Sequence, residues 1–216
     1  TGAEGDGGVG RWSEFFEQQN EGGKRLASIC HTRPSGAFFG LAQLSPFTRN
    51  SKAWKDLMAL PSIEDRVNAL RNETTRAKLI AEGIEAGDMK NLAHMLHPFG
   101  IDSRPNLDFA RQQSLLQLAE AEGKDPVEVY VERLLASEGR EFFNFWMFGG
   151  NLDNQWKYMQ LPHVVPMLGD AGAHVGFFTD TDSPTVLLSE LTREQGVYSL
   201  PEAVHRITGK LSLIHI

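Results

Sequence analysis

The fold is indicated most clearly by residues 164–176, which read Val-Val-Pro-Met-Leu-Gly-Asp-Ala-Gly-Ala-His-Val-Gly. The first five residues are apolar and begin with two β-branched valines, which is typical of a strand buried on both faces of a parallel sheet. Small residues then flank Asp170, so a ligand or metal can approach the backbone closely at the end of this strand. In parallel α/β barrels, catalytic groups lie just after the carboxyl ends of strands.

The rest of the chain predicts α/β structure with one long interruption. A helix over 11–20, ended by two glycines, precedes a second buried strand over 25–31. Residues 34–110 hold five prolines among short amphipathic helices, and we expect a lid-like helical insertion there. An aromatic strand is predicted over 141–148. Capping patterns predict helix starts at Ser62, Thr74 or Thr75, Ser114, Asp125, Asn151 or Asp153, Ser183 and Ser199, with helix ends near Gly83, Gly123, Gly139 and Gly209.

The composition excludes several classes of protein. The 216 residues carry a net charge of −7 with dispersed Lys and Arg, which argues against a nucleic-acid surface. A single cysteine, Cys30, excludes an internal disulfide framework and favours a reducing, cytoplasmic compartment. No apolar run is long enough to span a bilayer. We therefore expect a small-molecule substrate and neither a nucleic-acid nor a membrane partner.

One longer pattern resembles a known family. The run Leu168–Gly176 with Asp180, Ser183-Pro184-Thr185 and Leu187-Leu188 resembles the last barrel strand of the N-acyl-D-amino-acid deacylases (D-aminoacylases), which belong to the metal-dependent amidohydrolase superfamily. Ala171 stands where the family commonly has glycine. Weaker matches are Arg33-Pro34-Ser35-Gly36, Ser45-Pro46-Phe47 with Trp54, and His97-Pro98-Phe99-Gly100. The resemblance covers most of residues 24–209.

The resemblance implies a fold and an activity. The fold is the C-terminal part of a (β/α)8 TIM barrel, covering its last two to three strands and a helical lid. The activity is zinc-dependent hydrolysis of an amide C–N bond, with the histidine ligands of the zinc in a part of the barrel that precedes this chain. Residues 1–210 are then a fragment of the catalytic barrel. Residues 211–216, Leu-Ser-Leu-Ile-His-Ile, match the translation of a common sequencing adaptor, so we expect a non-native tail there.

Four residues are candidates for the site. Asp170 is the candidate catalytic residue and metal ligand, since a carboxylate both binds a divalent metal and accepts a proton from water; the alternative is a turn-stabilising Asp. His174 is a candidate to bind substrate or to orient Asp170. Arg33 and Ser35 follow the strand at 25–31 and suit the free carboxylate of an N-acyl amino acid. An exposed Arg and a turn Ser are the alternatives there, and the tyrosine that the family places nearby is absent.

Other patterns carry less weight. The glycines at 5, 7 and 10 match a dinucleotide fingerprint but follow no strand, and His94 with His97 lacks the Glu of a zincin site. Cys30 is interpreted as a small buried hydrophobe, and the aromatic residues of 142–148 as core or pocket wall. Two alternative functions remain open. One is a cyclic amidase of the hydantoinase or dihydroorotase kind, and the other is a non-catalytic barrel relative used for binding.

Overall fold

The chain folds into two compact units. The computed structural model describes residues 9–34, 36–100, 111–147, 151–166 and 182–215. The host unit comprises the described residues of Thr1–Ser35, Gly149–Ala173 and Thr179–Ile216, and the inserted unit comprises those of Gly36–Phe148. The inserted unit therefore interrupts the host unit in sequence.

Short helices predominate along the chain. In chain order the described elements are α1 (Val9–Glu21), β1 (Ser28–Cys30), β2 (Phe38–Phe39), α2 (Lys52–Met58), α3 (Ile63–Arg71), α4 (Glu73–Ala86), α5 (Asp88–Leu92), β3 (Leu96–Pro98), α6 (Leu115–Glu122), α7 (Pro126–Ala136), β4 (Phe143–Phe145), α8 (Leu152–Gln160), β5 (Val164–Pro166), α9 (Ser183–Val186), a π-helical segment (Leu187–Glu194), α10 (Leu200–Ile207) and α11 (Gly209–His215). None of the described helices is both long and apolar enough to cross a membrane.

The host unit contains a parallel strand pair. β1 and β5 align Ser28 with Val164 and Cys30 with Pro166. Parallel strands need a crossover connection, and α8 supplies it because it packs against both strands. The inserted unit lies between β1 and α8 in sequence, so it occupies the connection that leaves the carboxyl end of β1. This arrangement confirms the mixed α/β class.

The burial of the two strands differs. Val164 and Val165 are completely buried, which confirms the prediction for β5. The prediction that β1 is buried is wrong, since the side chain of Ile29 is 57% exposed. The reason lies in the packing: both α8 and α10 cover β5, whereas β1 packs mainly against α8 in the described part of the chain.

The inserted unit has its own sheet and core. Its strands pair antiparallel in the order β2-β4-β3, and the aromatic strand predicted over 141–148 is β4 of this sheet. Helices α6 and α7 share one core with α2, α3 and α4, and therefore the unit extends beyond the predicted insertion over 34–110. Phe47, Trp54 and Tyr130 pack together at its centre, with ring centroids 4.6 to 6.0 Å apart.

Capping residues define most helix starts as predicted. Side chains of Ser62, Ser114, Asp125, Asn151 and Ser199 each accept a backbone N–H at the start of a helix. Ser114 and Asp125 complete capping boxes with Gln117 and Glu128. These satisfied N–H groups explain why such short helices begin where they do.

Three helix boundaries were predicted wrongly. The start of α4 is capped by Asn72, whose side chain accepts the N–H of Thr75, and the helix continues past Gly83 to Ala86. Gly209 does not end the last helix, because it begins α11. By contrast, α9 begins at Ser183 as predicted, with Asp182 as its N-cap. Whether residues 211–216 are native stays a prediction.

Candidate functional site

The carboxyl edge of the β1–β5 pair is where the predicted site residues leave the sheet. Because the two strands are parallel, the residues after Cys30 and those after Pro166 start from the same edge. Asp170 comes four residues after Pro166 in the sequence. Asp170, His174 and Ser35 lie outside the described residues. Arg33 is therefore the predicted site residue whose surroundings the structure gives.

Arg33 is buried and ion-paired. Its side chain is 4% exposed, and its Nε donates to Oδ1 of Asp182 at 2.9 Å and to Oδ2 at 3.2 Å. Its Nη1 donates to the carbonyl oxygen of Pro34 at 2.8 Å. Asp182 makes no capping hydrogen bond to α9 with its side chain, so its carboxylate faces the guanidinium. The charge of Arg33 is thus matched by a carboxylate of the protein itself.

A second pair lies beside the first in sequence. The hydroxyl of Thr32 is 3.0 Å from the hydroxyl of Ser183 and donates to its carbonyl oxygen at 3.2 Å. Both residues are buried. Two adjacent contacts therefore join the chain that leaves β1 to the start of α9. In the sequence, Asp170 falls between Pro166 at the end of β5 and Asp182, the residue that contacts Arg33.

Gln155 of α8 holds the same stretch of backbone. Its Nε2 donates to the carbonyl oxygens of His31 at 2.6 Å and Arg33 at 3.3 Å. The side chain is buried, and its Oε1 has no hydrogen-bond partner. Sequence reasoning missed this residue. The available signal was a polar side chain one helical turn before Met159, on the buried side of α8.

Arg206 of α10 stabilises the opposite end of β5. Its Nη1 donates to the carbonyl oxygens of Met159 at 2.7 Å and Val164 at 3.2 Å, and its Nε donates to Glu202 at 2.7 Å. Only 9% of its side chain is exposed. Arg206 is therefore held mainly by backbone carbonyls of the turn between α8 and β5, whereas Arg33 is held mainly by a carboxylate.

The metal chemistry of the described residues is limited. Burial raises the pKa of the Cys30 thiol to about 12, so it is a thiol and not a metal-binding thiolate near neutral pH. The Cys30 side chain is only partly buried, packed against the core around Met159 and Leu187, so it is less buried than expected. Within the described ranges, no three His, Cys, Asp or Glu side chains are grouped so that they could hold a metal ion. A zinc site would thus need at least one ligand outside those ranges.

Comparisons with known proteins identify no relative. No protein-family model matches the chain, no curated protein matches it, and no solved structure matches it. The deacylase resemblance therefore stays a prediction that rests on the residues quoted for it.

Proposed function

We propose that this protein is a metal-dependent hydrolase of amide C–N bonds, acting on N-acyl-D-amino acids, and that the host unit is part of a (β/α)8 barrel. The observation that carries the proposal is the pair of contacts from Thr32 and Arg33 to Ser183 and Asp182. These contacts hold Asp182 and Ser183, which follow the Asp170 segment (residues 167–181) in the sequence, beside the residues that leave β1. Ligands of open and closed α/β sheets bind at the carboxyl edge of the strands.

The length of the chain limits the position of Asp170. Four residues span at most about 14 Å when fully extended. Asp170 follows the buried β5 by four residues in the sequence, and we propose that it belongs to the carboxyl edge of that strand. A carboxylate at the end of a buried parallel strand suits a catalytic role better than a carboxylate in a surface turn, because the strand holds it rigidly.

The proposed chemistry uses Asp170 as a proton carrier. Zinc, when bound, would polarise the acyl carbonyl and make a water molecule more acidic. Asp170 would accept the proton of the attacking water and transfer it to the leaving amine nitrogen as the C–N bond breaks. His174 and Ser35 are proposed to contact the substrate. The products are a carboxylic acid and a free amino acid.

The structure suggests a different role for Arg33. Since Asp182 already matches its charge, we propose that Arg33 positions the start of α9 and the end of the Asp170 segment. Its direct contact with a substrate carboxylate stays a prediction. This pairing also weakens the reason to prefer substrates with a free carboxylate, so a cyclic amidase remains the second candidate function.

The test is Asp170→Asn in the protein expressed from its full coding sequence. The exchange keeps the side-chain shape and removes the negative charge and the basicity. We expect kcat for N-acetyl-D-amino acids to fall by at least about a hundredfold, with a smaller change in KM and an unchanged fold by circular dichroism. Asp153→Asn, an exposed position on α8, serves as the control. Near-normal kcat and unchanged zinc content in Asp170→Asn would leave Asp170 as a turn residue. Turnover of hydantoins instead of N-acyl amino acids would favour the cyclic amidase.

A further inference from the structure

Three residues form one row across the sheet of the inserted unit, and two of them are polar. Phe38 of β2, Asn144 of β4 and His97 of β3 lie side by side in the antiparallel register, and we call them the sheet row. Side chains alternate between faces along a strand. Phe143 and Phe145, on either side of Asn144, pack into the core of the unit. Asn144 therefore belongs to the opposite face of the sheet.

The sheet row buries hydrogen-bonding groups without partners. Asn144 is 1% exposed, and neither its Nδ2 nor its Oδ1 makes a hydrogen bond. His97 is also more than nine-tenths buried, and its Nδ1 makes none. Buried donors and acceptors are nearly always paired, because leaving them unpaired is costly. The two unpaired atoms of the Asn144 amide, beside the ring of His97, indicate a place where a ligand completes the hydrogen bonds.

Aromatic rings flank these atoms. The imidazole of His97 stacks on the indole of Trp146, with centroids 3.5 Å apart and planes 11° apart. The rings of Phe38 and Phe99 pack edge to face, with centroids 4.9 Å apart. Flat apolar walls beside an amide side chain favour a ligand that joins a planar apolar group to a polar head.

The groups of the sheet row are uncharged near neutral pH. Burial lowers the pKa of His97 to about 4, although the nearby carbonyls of Gln112 and His94 act in the opposite direction. The buried Glu141 carboxylate is already paired, since it accepts from Arg133 at 2.9 Å and from the Gly100 N–H at 2.8 Å. The unpaired atoms therefore suit a neutral head better than an anion or a cation.

We propose that the sheet row binds an uncharged carboxamide carried on a flat apolar group. The Nδ2 of Asn144 donates to the ligand carbonyl, and the ligand N–H donates to Oδ1 of Asn144. Directly opposed residues of antiparallel strands have Cβ atoms about 4.5–5.5 Å apart, so one amide group can also reach Nδ1 of His97. This site is independent of the proposed hydrolase activity, because all its residues belong to the inserted unit.

Benzamide is the probe for this site. It is titrated into the protein expressed from its full coding sequence while the side-chain NH2 resonance of Asn144 is followed by NMR. That resonance is assigned by its loss in Asn144→Leu. We expect a saturable shift with a Kd on the order of 1 mM. Binding, followed by calorimetry, should weaken at least about tenfold in Asn144→Leu and stay unchanged in Asn68→Leu, an exposed position on α3.

A charged analogue and a second variant test the proposal further. Benzoate has the same shape and carries a negative charge, so it should bind at least about tenfold more weakly than benzamide. If Asn144→Leu does not fold, His97→Phe keeps the ring stack and removes the nitrogen, and it should also weaken benzamide binding. Three results would overturn the proposal: no saturable shift with benzamide, equal binding in the variants, or a crystal structure in which a water bridges Asn144 and His97 and soaked benzamide does not displace it.

Discussion

Removing the carboxylate of Asp182 tests how the carboxyl edge of the host unit is held together. Asp182→Ala leaves the guanidinium of Arg33 buried without its matching charge. Breaking a buried ion pair from one side costs about 3–5 kcal/mol in unfolding free energy. One third of the Asp182 side chain is exposed, so water can partly replace it. We therefore expect a loss of about 2–3 kcal/mol, and about half of that for Asp182→Asn, which keeps a hydrogen-bond acceptor.

A double-mutant cycle isolates the pair. Arg33→Met removes the charge and keeps apolar volume, and the double variant removes both partners. Urea denaturation of the wild type, the two single variants and the double variant gives the coupling free energy. We expect at least about 1 kcal/mol, because residues that share an ion pair are not additive. A coupling below about 0.5 kcal/mol would show that Arg33 does not depend on Asp182.

Glu202→Ala is the matched control. Arg206 is buried to a similar degree, yet it keeps its bonds to the carbonyls of Met159 and Val164 after Glu202 is removed. The loss should stay below about 1 kcal/mol, because these carbonyls still pair the guanidinium and Glu202 itself is 43% exposed. A loss as large as that of Asp182→Ala would mean that backbone carbonyls do not compensate a buried guanidinium here.

Two further predictions concern the inserted unit. Burial raises the pKa of Glu141 while Arg133 opposes the rise, so Arg133→Ala should raise that pKa further. The folded state of this variant then binds a proton that the unfolded state has released, and its stability should fall as pH rises through the range between the two pKa values. Urea denaturation should show a deficit of about 2–4 kcal/mol at pH 7 that shrinks towards pH 4, whereas exposed Arg71→Ala should change little at either pH. Gly83→Ala places a Cβ 2.8 Å from Cγ1 of Val127; we expect a net loss of about 1 kcal/mol by thermal denaturation, since crowding outweighs the better helix propensity, and a more stable variant would contradict this close packing.

Local patterns predicted the elements that depend on local chemistry. Capping side chains such as Ser62 and Asp125 act within one helical turn, so they can be recognised in the sequence. The apolar composition of residues 164–166 likewise predicts that this strand is buried. The exposure of Ile29 could not be predicted in this way, because it depends on which helices cover β1. The extent of the inserted unit depends on Tyr130 meeting Trp54, a contact between residues far apart in sequence.

The sequence predicted where the candidate site residues lie relative to the strands, but not which residues they contact. Arg33 was expected to leave the carboxyl end of a strand, and it does. Its partner Asp182 is 149 residues away in the chain, and no local pattern relates the two. Gln155 was missed for the same reason, since its acceptors are the carbonyls of His31 and Arg33.

The ends of the inserted unit meet each other. The N–H of Phe145 donates to the carbonyl of Ala37 at 2.8 Å, and a Cβ on Gly36 would lie 1.9 Å from the carbonyl oxygen of Phe145. The insertion is more than a hundred residues long, but the unit itself holds its two ends together. The loop-closure entropy that it costs the host unit is therefore little more than that of a short turn. Such a unit can be inserted, removed or replaced as a whole. A short glycine-serine bridge in place of 36–147 should leave the pairing of β1 with β5 intact.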